Sequence, residues 1–217
     1  MGFLIVSILF SISLLFNFIQ FFSKNREPLT SVSRVVDGDT IIINPGNARV
    51  RLSNIEAPEL DKCGGPEAKK RLTELVERKN VHLEALSDDV FNRSIVLVYS
   101  GDKLINETLA GEGLVRYDGS PSPGRDAIKS AYQTAVTSEK GIYGPPCRAL
   151  KPDKPGCFIK GNIERNTGAK RYFFPGCSKY NEVIVEKDLG ESWFCTEKEA
   201  EKANYIKSGN CFGKKYK

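Results

Sequence analysis

The sequence has little of what many protein metal sites use. It contains one histidine, and none of its six cysteines belongs to a C-x-x-C pair, so the close ligand spacing of a compact zinc site is absent. An even number of cysteines favours disulfides in an exported protein, and free thiols or a zinc site assembled from distant loops in a cytosolic one. His82 is predicted to be a strand residue without a chemical role.

Charge is absent from residues 2–22, an almost entirely apolar run. About twenty such residues are enough to span the hydrocarbon core of a membrane as a helix. A cleaved signal peptide would begin with basic residues, and none precedes this run. We therefore predict a single-pass membrane anchor at residues 2–22, with a secreted protein as the alternative if the segment is cleaved.

Charge is unevenly distributed along the rest of the 217 residues. Residues 1–146 carry 17 basic and 18 acidic side chains, a net charge of −1, whereas residues 147–217 carry 15 and 9, a net charge of +6. A polyanionic partner would be drawn toward the second part. A solvated, lysine-rich surface explains the same counts equally well.

Residues 35–59 concentrate charge within a strand-like stretch. Four carboxylates and two guanidinium groups occur there, on Asp37, Asp39, Glu56, Glu59, Arg49 and Arg51. Carboxylates gather where oxygen atoms must hold a hard divalent cation, and arginines bind phosphate oxygens bidentately. The stretch therefore indicates a metal-assisted phosphodiester site, although the DGDT run alone would be a common turn.

The periodicity of apolar residues predicts five strands and three helices before residue 147. The strand-like runs are residues 32–36, 40–44, 49–54, 81–86 and 94–99, after a short linker at 25–31, and the helices are 67–79, 104–112 and 126–140. Five strands with a helix after the third is the element order of an OB-type barrel, which commonly binds nucleic acid. The predicted class is α+β, mainly β, with a transmembrane helix before the barrel and a small α+β module, at 156–212, after it.

The run Asp37-Gly38-Asp39-Thr40, followed by Arg51-Leu52 and by Glu56-Ala57-Pro58-Glu59, resembles the signature of the staphylococcal nuclease family. The resemblance extends over residues 30–147 and implies the same OB-type barrel. It also implies a nuclease that hydrolyses DNA, with RNA as a further candidate substrate. Little sequence preference is expected, because the recognisable contacts go to phosphate.

The resemblance implies a set of metal ligands. Asp39 and Glu56 would bind the cation directly with the backbone carbonyl of Ala57, and Asp37 would lie nearby and act through water. Calcium is the expected ion, with magnesium as the alternative. Glu56 stands where the best-known member of the family has the shorter aspartate, and this difference keeps the charge.

The resemblance also implies catalytic roles. Glu59 would be the general base that takes a proton from water, Arg51 would bind the scissile phosphate, and Arg93 would supply the second guanidinium. Tyr117 could stack on a base of the substrate or pack in the interior. Phe91 departs from the pattern, since relatives often have a tyrosine there.

The six cysteines divide between the nuclease domain and the tail. Cys63 and Cys147 are candidates for a disulfide that closes the nuclease domain. Cys157, Cys177, Cys195 and Cys211 would pair within the tail or, as the alternative, bind one zinc ion. Residues 156–212 resemble a small module that follows the nuclease domain in some bacterial relatives.

The sequence also bears on the side of the membrane at which the body of the protein lies, and on alternative functions. Basic residues follow the apolar run, which favours a cytoplasmic body, but the even cysteine count and the expected calcium site favour an extracytoplasmic one, which we predict. We also expect the protein to be a monomer. The alternative function is a non-catalytic OB-type module that captures nucleic acid at the membrane. In a third possibility, the basic tail delivers the nuclease to an anionic surface such as lipid or cell-wall polymer.

Overall fold

The computed structural model describes residues 29–216. The anchor predicted at residues 2–22 lies outside them. Within the described part of the chain, none of the helices has the length and apolar character that crossing a membrane requires.

The first part of the chain forms a barrel with three helices. Its elements are β1 (Thr30–Val35), β2 (Thr40–Asn44), β3 (Ala48–Leu52), β4 (Ile55–Glu56), α1 (Gly65–Val76), β5 (Asn80–Asp88), β6 (Ser94–Ser100), β7 (Lys103–Leu104), α2 (Ile105–Gly111), β8 (Arg116–Tyr117) and α3 (Arg125–Thr137). Antiparallel pairs join strands in the order β3-β2-β1-β5-β6, and β3 also pairs in parallel with β6. These five strands therefore close into the OB-type barrel that the sequence predicted.

The barrel forms because alternate strand residues are apolar and turn inward. Val32, Ile41 and Val50 are buried from three successive strands. From outside the strands, α1 contributes Leu72 and Val76, which are four residues apart on one helix face and fully buried. One continuous core thus joins the barrel to its first helix.

Several predicted boundaries require correction. The predicted strand at 49–54 is two strands, β3 and β4, because Asn54 adopts a left-handed conformation with φ 62° and turns the chain. Helix α1 ends at Val76 rather than at residue 79, since Glu77 is extended and Arg78 has φ 57°. Strand β1 begins at Thr30, inside the predicted linker, because Thr30 pairs with Val81.

The C-terminal part has its own sheet and core. Its elements are β9 (Arg148–Ala149), β10 (Ile159–Ile163), β11 (Lys170–Phe173), β12 (Val185–Glu186), β13 (Trp193–Phe194), α4 (Glu197–Lys202) and β14 (Ile206–Lys207). Four strands pair in the order β13-β10-β11-β14. Tyr172 and Phe174 are almost completely buried at the centre of this second core.

All six cysteines form disulfides. Cys63 pairs with Cys147, as predicted, and the four cysteines of the tail pair as Cys157 with Cys195 and Cys177 with Cys211. No free thiol is left for the alternative zinc site within residues 29–216. Disulfides persist in oxidising compartments, and the extracytoplasmic location stays a prediction.

Glu191 is a buried carboxylate that joins two strands of the C-terminal part. Its Oε1 accepts hydrogen bonds from Asn162 Nδ2 and Ile163 N, at 2.8 and 2.7 Å, and its Oε2 accepts one from Glu186 N at 2.7 Å. Burial raises the pKa of Glu191 to about 7, although the backbone donors of Glu186 and Ile163 oppose the rise. The folded protein therefore holds a proton here more tightly than the unfolded chain.

This pKa predicts a pH dependence of stability. The contribution of Glu191 is fully present below the pKa of 4.5 in the unfolded chain and is lost as the pH rises through about 7. In denaturant titrations, the free energy of unfolding of the wild type minus that of Glu191→Gln should fall by about 1–3 kcal/mol between pH 5 and pH 8. The exposed Glu182→Gln variant is the matched control, and parallel profiles for all three proteins would contradict the prediction.

Candidate active site

The turn between β1 and β2 brings two carboxylates against the segment that follows β4. A Cβ atom on Gly38 would lie 2.6 Å from the Cβ atoms of both Ala57 and Ala68. Glycine is needed here for this close approach and not for a left-handed φ, which Gly38 does not adopt. The sequence DGDT therefore places Asp37 and Asp39 beside residues 55–59.

Asp39 is buried, with 4% of its surface exposed. Its Oδ2 accepts a hydrogen bond from Ala57 N and its Oδ1 one from the Thr40 hydroxyl, both at 2.9 Å. Arg51 is farther away, with its Nη1 and Nη2 each 3.4 Å from a carboxylate oxygen. Burial raises the pKa of Asp39 to about 6, against the opposing charge of Arg51. A bound cation would offset this desolvation.

One cavity of about 220 Å³ is lined by seven of the eight site residues that were predicted from the sequence. It is lined by Asp37, Asp39, Thr40, Arg49, Arg51, Glu56, Ala57, Pro58, Glu59 and Arg93. The predicted metal ligands, general base and phosphate-binding arginines therefore share a single pocket. Their individual roles remain predictions.

The register of the closed barrel explains why the arginines meet there. Arg51 on β3 lies opposite Thr40 on β2 and opposite Ile95 on β6. Since Arg93 comes two residues before Ile95, it reaches the same end of the barrel. The parallel pair that closes the barrel thus brings together two guanidinium groups that are 42 positions apart in the sequence.

Asp89 fixes Arg93 at the cavity and was not identified from the sequence. Its Oδ2 lies 2.7 Å from Arg93 Nε, and its Oδ1 accepts hydrogen bonds from Arg93 N and Phe91 N, each at 2.9 Å. Desolvation raises the pKa of Asp89, but the backbone and side chain of Arg93 leave it below its ordinary value. Asp89 and Arg93 are four residues apart in a short hairpin turn, and this spacing was the sequence signal that could have predicted their ion pair.

Arg49 also lines the cavity; it was counted among the charges of residues 35–59 in the sequence but was given no individual role. It precedes Arg51 by two residues on β3, and alternate residues of a strand point to the same face. This period-two spacing could have predicted a third cationic group at the site.

Glu59 is exposed at the rim of the cavity and is held through its backbone. Its carbonyl accepts a hydrogen bond from Lys62 N at 2.9 Å. A Cβ on Gly65 would lie 2.1 Å from the same carbonyl oxygen, so glycine at the start of α1 allows the helix to approach this loop. The carboxylate is thereby presented to the cavity while its side chain stays accessible to water.

The donor set fits a hard divalent cation in its chemistry. Asp37, Asp39 and Glu56 contribute only oxygen atoms, the ligands that calcium and magnesium prefer. Across residues 29–216, no three histidine, cysteine or carboxylate groups already converge as a complete ligand set. Backbone carbonyl and water oxygens would therefore complete the coordination, as expected for these ions.

Tyr117 and His82 lie outside this cavity. Tyr117 packs on the barrel core with its ring 5.8 Å from that of Tyr132, which corresponds to the interior alternative. His82 lies on β5 with its ring 5.8 Å from Tyr99. Neither ring contributes to the pocket that holds the carboxylates and arginines.

A larger cavity, of about 730 Å³, lies in the C-terminal part. Its charged lining residues are three basic and three acidic ones, namely Arg148, Arg171, Lys179, Glu164, Glu182 and Glu186. Because these charges balance, the cavity does not favour a polyanion, despite the net charge of +6 on residues 147–217.

Comparison with known proteins supports the resemblance to the staphylococcal nuclease family. A family model described as staphylococcal nuclease homologue matches residues 49–144. This range includes Arg51, Glu56, Glu59 and Arg93, whereas Asp39 precedes it.

Individual relatives carry nuclease names. The chain is 36% identical to an uncharacterized endonuclease of Haemophilus influenzae over 106 residues, which are 47% of this chain and 60% of that protein. It is 32% identical to a micrococcal nuclease of Shigella flexneri over 130 residues, 53% of this chain and 73% of that protein. For a thermonuclease of Staphylococcus intermedius, the identity is 36% over 97 residues, 39% of this chain and 56% of the relative.

The barrel, the shared pocket and the matches agree with one another. The likeness to the Shigella protein extends over nearly three quarters of its length, and the family model covers the segment that contributes both arginines and the candidate base. The chain therefore belongs to the staphylococcal nuclease family.

Proposed function

We propose that the protein is a nuclease that uses a divalent cation, with calcium as the preferred ion, to hydrolyse DNA with little sequence preference, and that RNA is a further candidate substrate. The observation that carries the proposal is the pocket in which Asp39, Glu56 and Glu59 face Arg51 and Arg93. Low sequence preference is expected because guanidinium groups bind phosphate, which every nucleotide presents.

Arg51 and Arg93 would bind and orient the scissile phosphate. The long contacts of 3.4 Å between Arg51 and Asp39 leave the Arg51 guanidinium free to donate to phosphate oxygens. Arg93 is held more firmly, since its Nη2 lies 2.7 Å from Asp89 Oδ2. One arginine is therefore adjustable and the other fixed, an arrangement that suits charge that grows during the reaction.

Glu59 would accept the proton of the attacking water. Its carboxylate is exposed, so water reaches it, and it shares the cavity with both arginines. Asp39 and Glu56, with Asp37 nearby, would hold the cation, and Asp39 is suited to this role because its burial disfavours an unpaired charge. When bound, the cation supplies charge neutralisation at the phosphate and lowers the pKa of a bound water.

Hydrolysis of plasmid DNA, single-stranded DNA and RNA by the purified protein tests the proposal. We expect no cleavage after chelation, and recovery when calcium or magnesium is added back. Glu59→Gln, purified in parallel, controls for a contaminating nuclease, because that contaminant would leave both preparations equally active. Intact substrates with every added ion would overturn the proposal, and retention of DNA on the protein under those conditions would favour the non-catalytic binding module.

A further inference from the structure

The strand that carries Glu56 is paired with a strand that reaches toward the C-terminal part. In the antiparallel pair of β4 and β8, Glu56 lies opposite Arg116 and Ile55 opposite Tyr117. Arg116 is buried, with 7% of its surface exposed. A displacement of Arg116 would therefore be transmitted directly to the backbone of a candidate metal ligand.

The Arg116 guanidinium is held by carboxylates of the C-terminal part. Its Nε lies 2.6 Å from Asp188 Oδ2, and its Nη2 lies 3.3 Å from Glu186 Oε1. The second contact has the distance of an ion pair without the geometry of a hydrogen bond, and Nη2 has no hydrogen-bond partner. Asp188, whose side chain is 1% exposed, is thus the principal partner of Arg116.

The Asp188 turn is itself fixed against the barrel. Lys187 N donates at 2.9 Å to Cys147 O, at the end of the nuclease domain, and within the C-terminal part β12 pairs with β9 immediately before the turn. A Cβ on Gly190 would lie 3.1 Å from Lys62 Cε, so the chain beyond the turn also closely approaches the loop that follows Glu59. These contacts leave Asp188 little freedom to move away from Arg116.

A cavity of about 170 Å³ separates the two parts and reaches the active-site segment. Glu56 and Glu59 line both this cavity and the active-site pocket, and Lys62, Arg116 and Asp188 are the other charged residues that line this cavity. The Oδ1 atom of Asp188 is buried without a hydrogen-bond partner. The carboxylates proposed for catalysis and the pair of Arg116 and Asp188 therefore line one cavity.

Building on the nuclease function proposed above, we infer that Asp188 is a positioning residue for the active site. By pairing with Arg116, it holds β8 against β4 and prevents the guanidinium from turning to Glu56 or Glu59. The C-terminal part is then a component of the catalytic unit and not only a separate binding module.

Loss of Asp188 should affect the active site because a buried charge such as that of Arg116 needs a partner of opposite charge. Without the Asp188 carboxylate, the Arg116 guanidinium keeps only the longer contact of 3.3 Å to Glu186, and the carboxylates that line its cavity are Glu56 and Glu59. An arginine paired with Glu56 would compete directly with a cation for the same oxygen atoms. Loss of Asp188 should therefore weaken cation binding and turnover more than it weakens binding of DNA.

The test compares the full chain with Asp188→Asn, which keeps the shape of the side chain and removes its charge. We expect the calcium concentration for half-maximal activity to rise, and kcat to fall, by about 10-fold each, with little change in KM for DNA. The control is Asp153→Asn, which makes the same change at an exposed residue that pairs with Lys187 beside the turn. This control should keep wild-type values.

The double variant Arg116→Gln with Asp188→Asn separates positioning from general damage. Because it removes the competing guanidinium, its calcium requirement should return toward that of the wild type, whereas a purely structural defect would persist. Should Asp188→Asn fail to fold, Asp188→Glu takes its place with a smaller expected rise, since its charge is displaced by one methylene. Wild-type calcium requirement and kcat in the folded single variant would overturn the inference, while inactivity of the wild type would instead refute the nuclease function.

Discussion

Replacing Arg51 with alanine is expected to reduce the rate of DNA hydrolysis by ~10²–10³-fold while the barrel stays folded. Arg51 lines the proposed active-site cavity, its side chain is 26% exposed, and its guanidinium makes only two long contacts of 3.4 Å, both to Asp39. It therefore contributes little to the fold and is available to a phosphate. Cleavage of a plasmid with saturating calcium measures the effect, and circular dichroism confirms folding.

A matched control for the Arg51 variant is an arginine on another strand of the barrel. Arg34→Ala removes an exposed arginine from β1, outside the cavity, and should keep full activity.

Glu59→Gln should reduce the rate of DNA hydrolysis by at least ~10²-fold, since it removes the candidate base without changing the shape of the side chain. Exposed Glu67 on α1 offers the corresponding neutral control, Glu67→Gln. Wild-type rates in both Arg51→Ala and Glu59→Gln would contradict the assigned roles.

Much of the barrel could be predicted from local sequence because its strands alternate apolar and polar residues. The strand predicted at residues 40–44 matches β2 at both ends, and each predicted helix occurs near its place. The ends of helices were harder, because Arg78 and Glu139 adopt left-handed conformations, φ 57° and 51°, that neither residue type favours. Such conformations are imposed by packing that only the folded chain supplies.

The site was predictable where its residues are close in sequence. The segments holding Asp39 and Glu56 meet because Gly38 lets the turn approach Ala57, a contact that the motif itself implies. The contribution of Asp188 was not predictable in the same way. Asp188 lies 72 residues from Arg116, and their pairing depends on how the C-terminal part docks on the barrel.

Removal of the disulfide between Cys63 and Cys147 should have the largest effect on stability. It closes a loop with a sequence separation of 84 residues, so its loss frees a long segment in the unfolded chain. Replacing both cysteines with serine is expected to reduce the free energy of unfolding by about 2–4 kcal/mol. Thermal unfolding followed by circular dichroism would record this as a decrease in Tm of about 5–15 °C.

This disulfide should also matter for activity below the melting temperature, because Cys63 follows Glu59 by four residues and Cys147 O accepts the hydrogen bond from Lys187 N. The serine pair therefore loosens the candidate base and the Asp188 turn together. Replacing Cys177 and Cys211 with serine is the control, since that disulfide closes a loop of separation 34 within the second core. Both variants should lose stability, but at 25 °C only the first should lose turnover. Equal turnover in the two folded variants would mean that the Glu59 loop keeps its place without the covalent link.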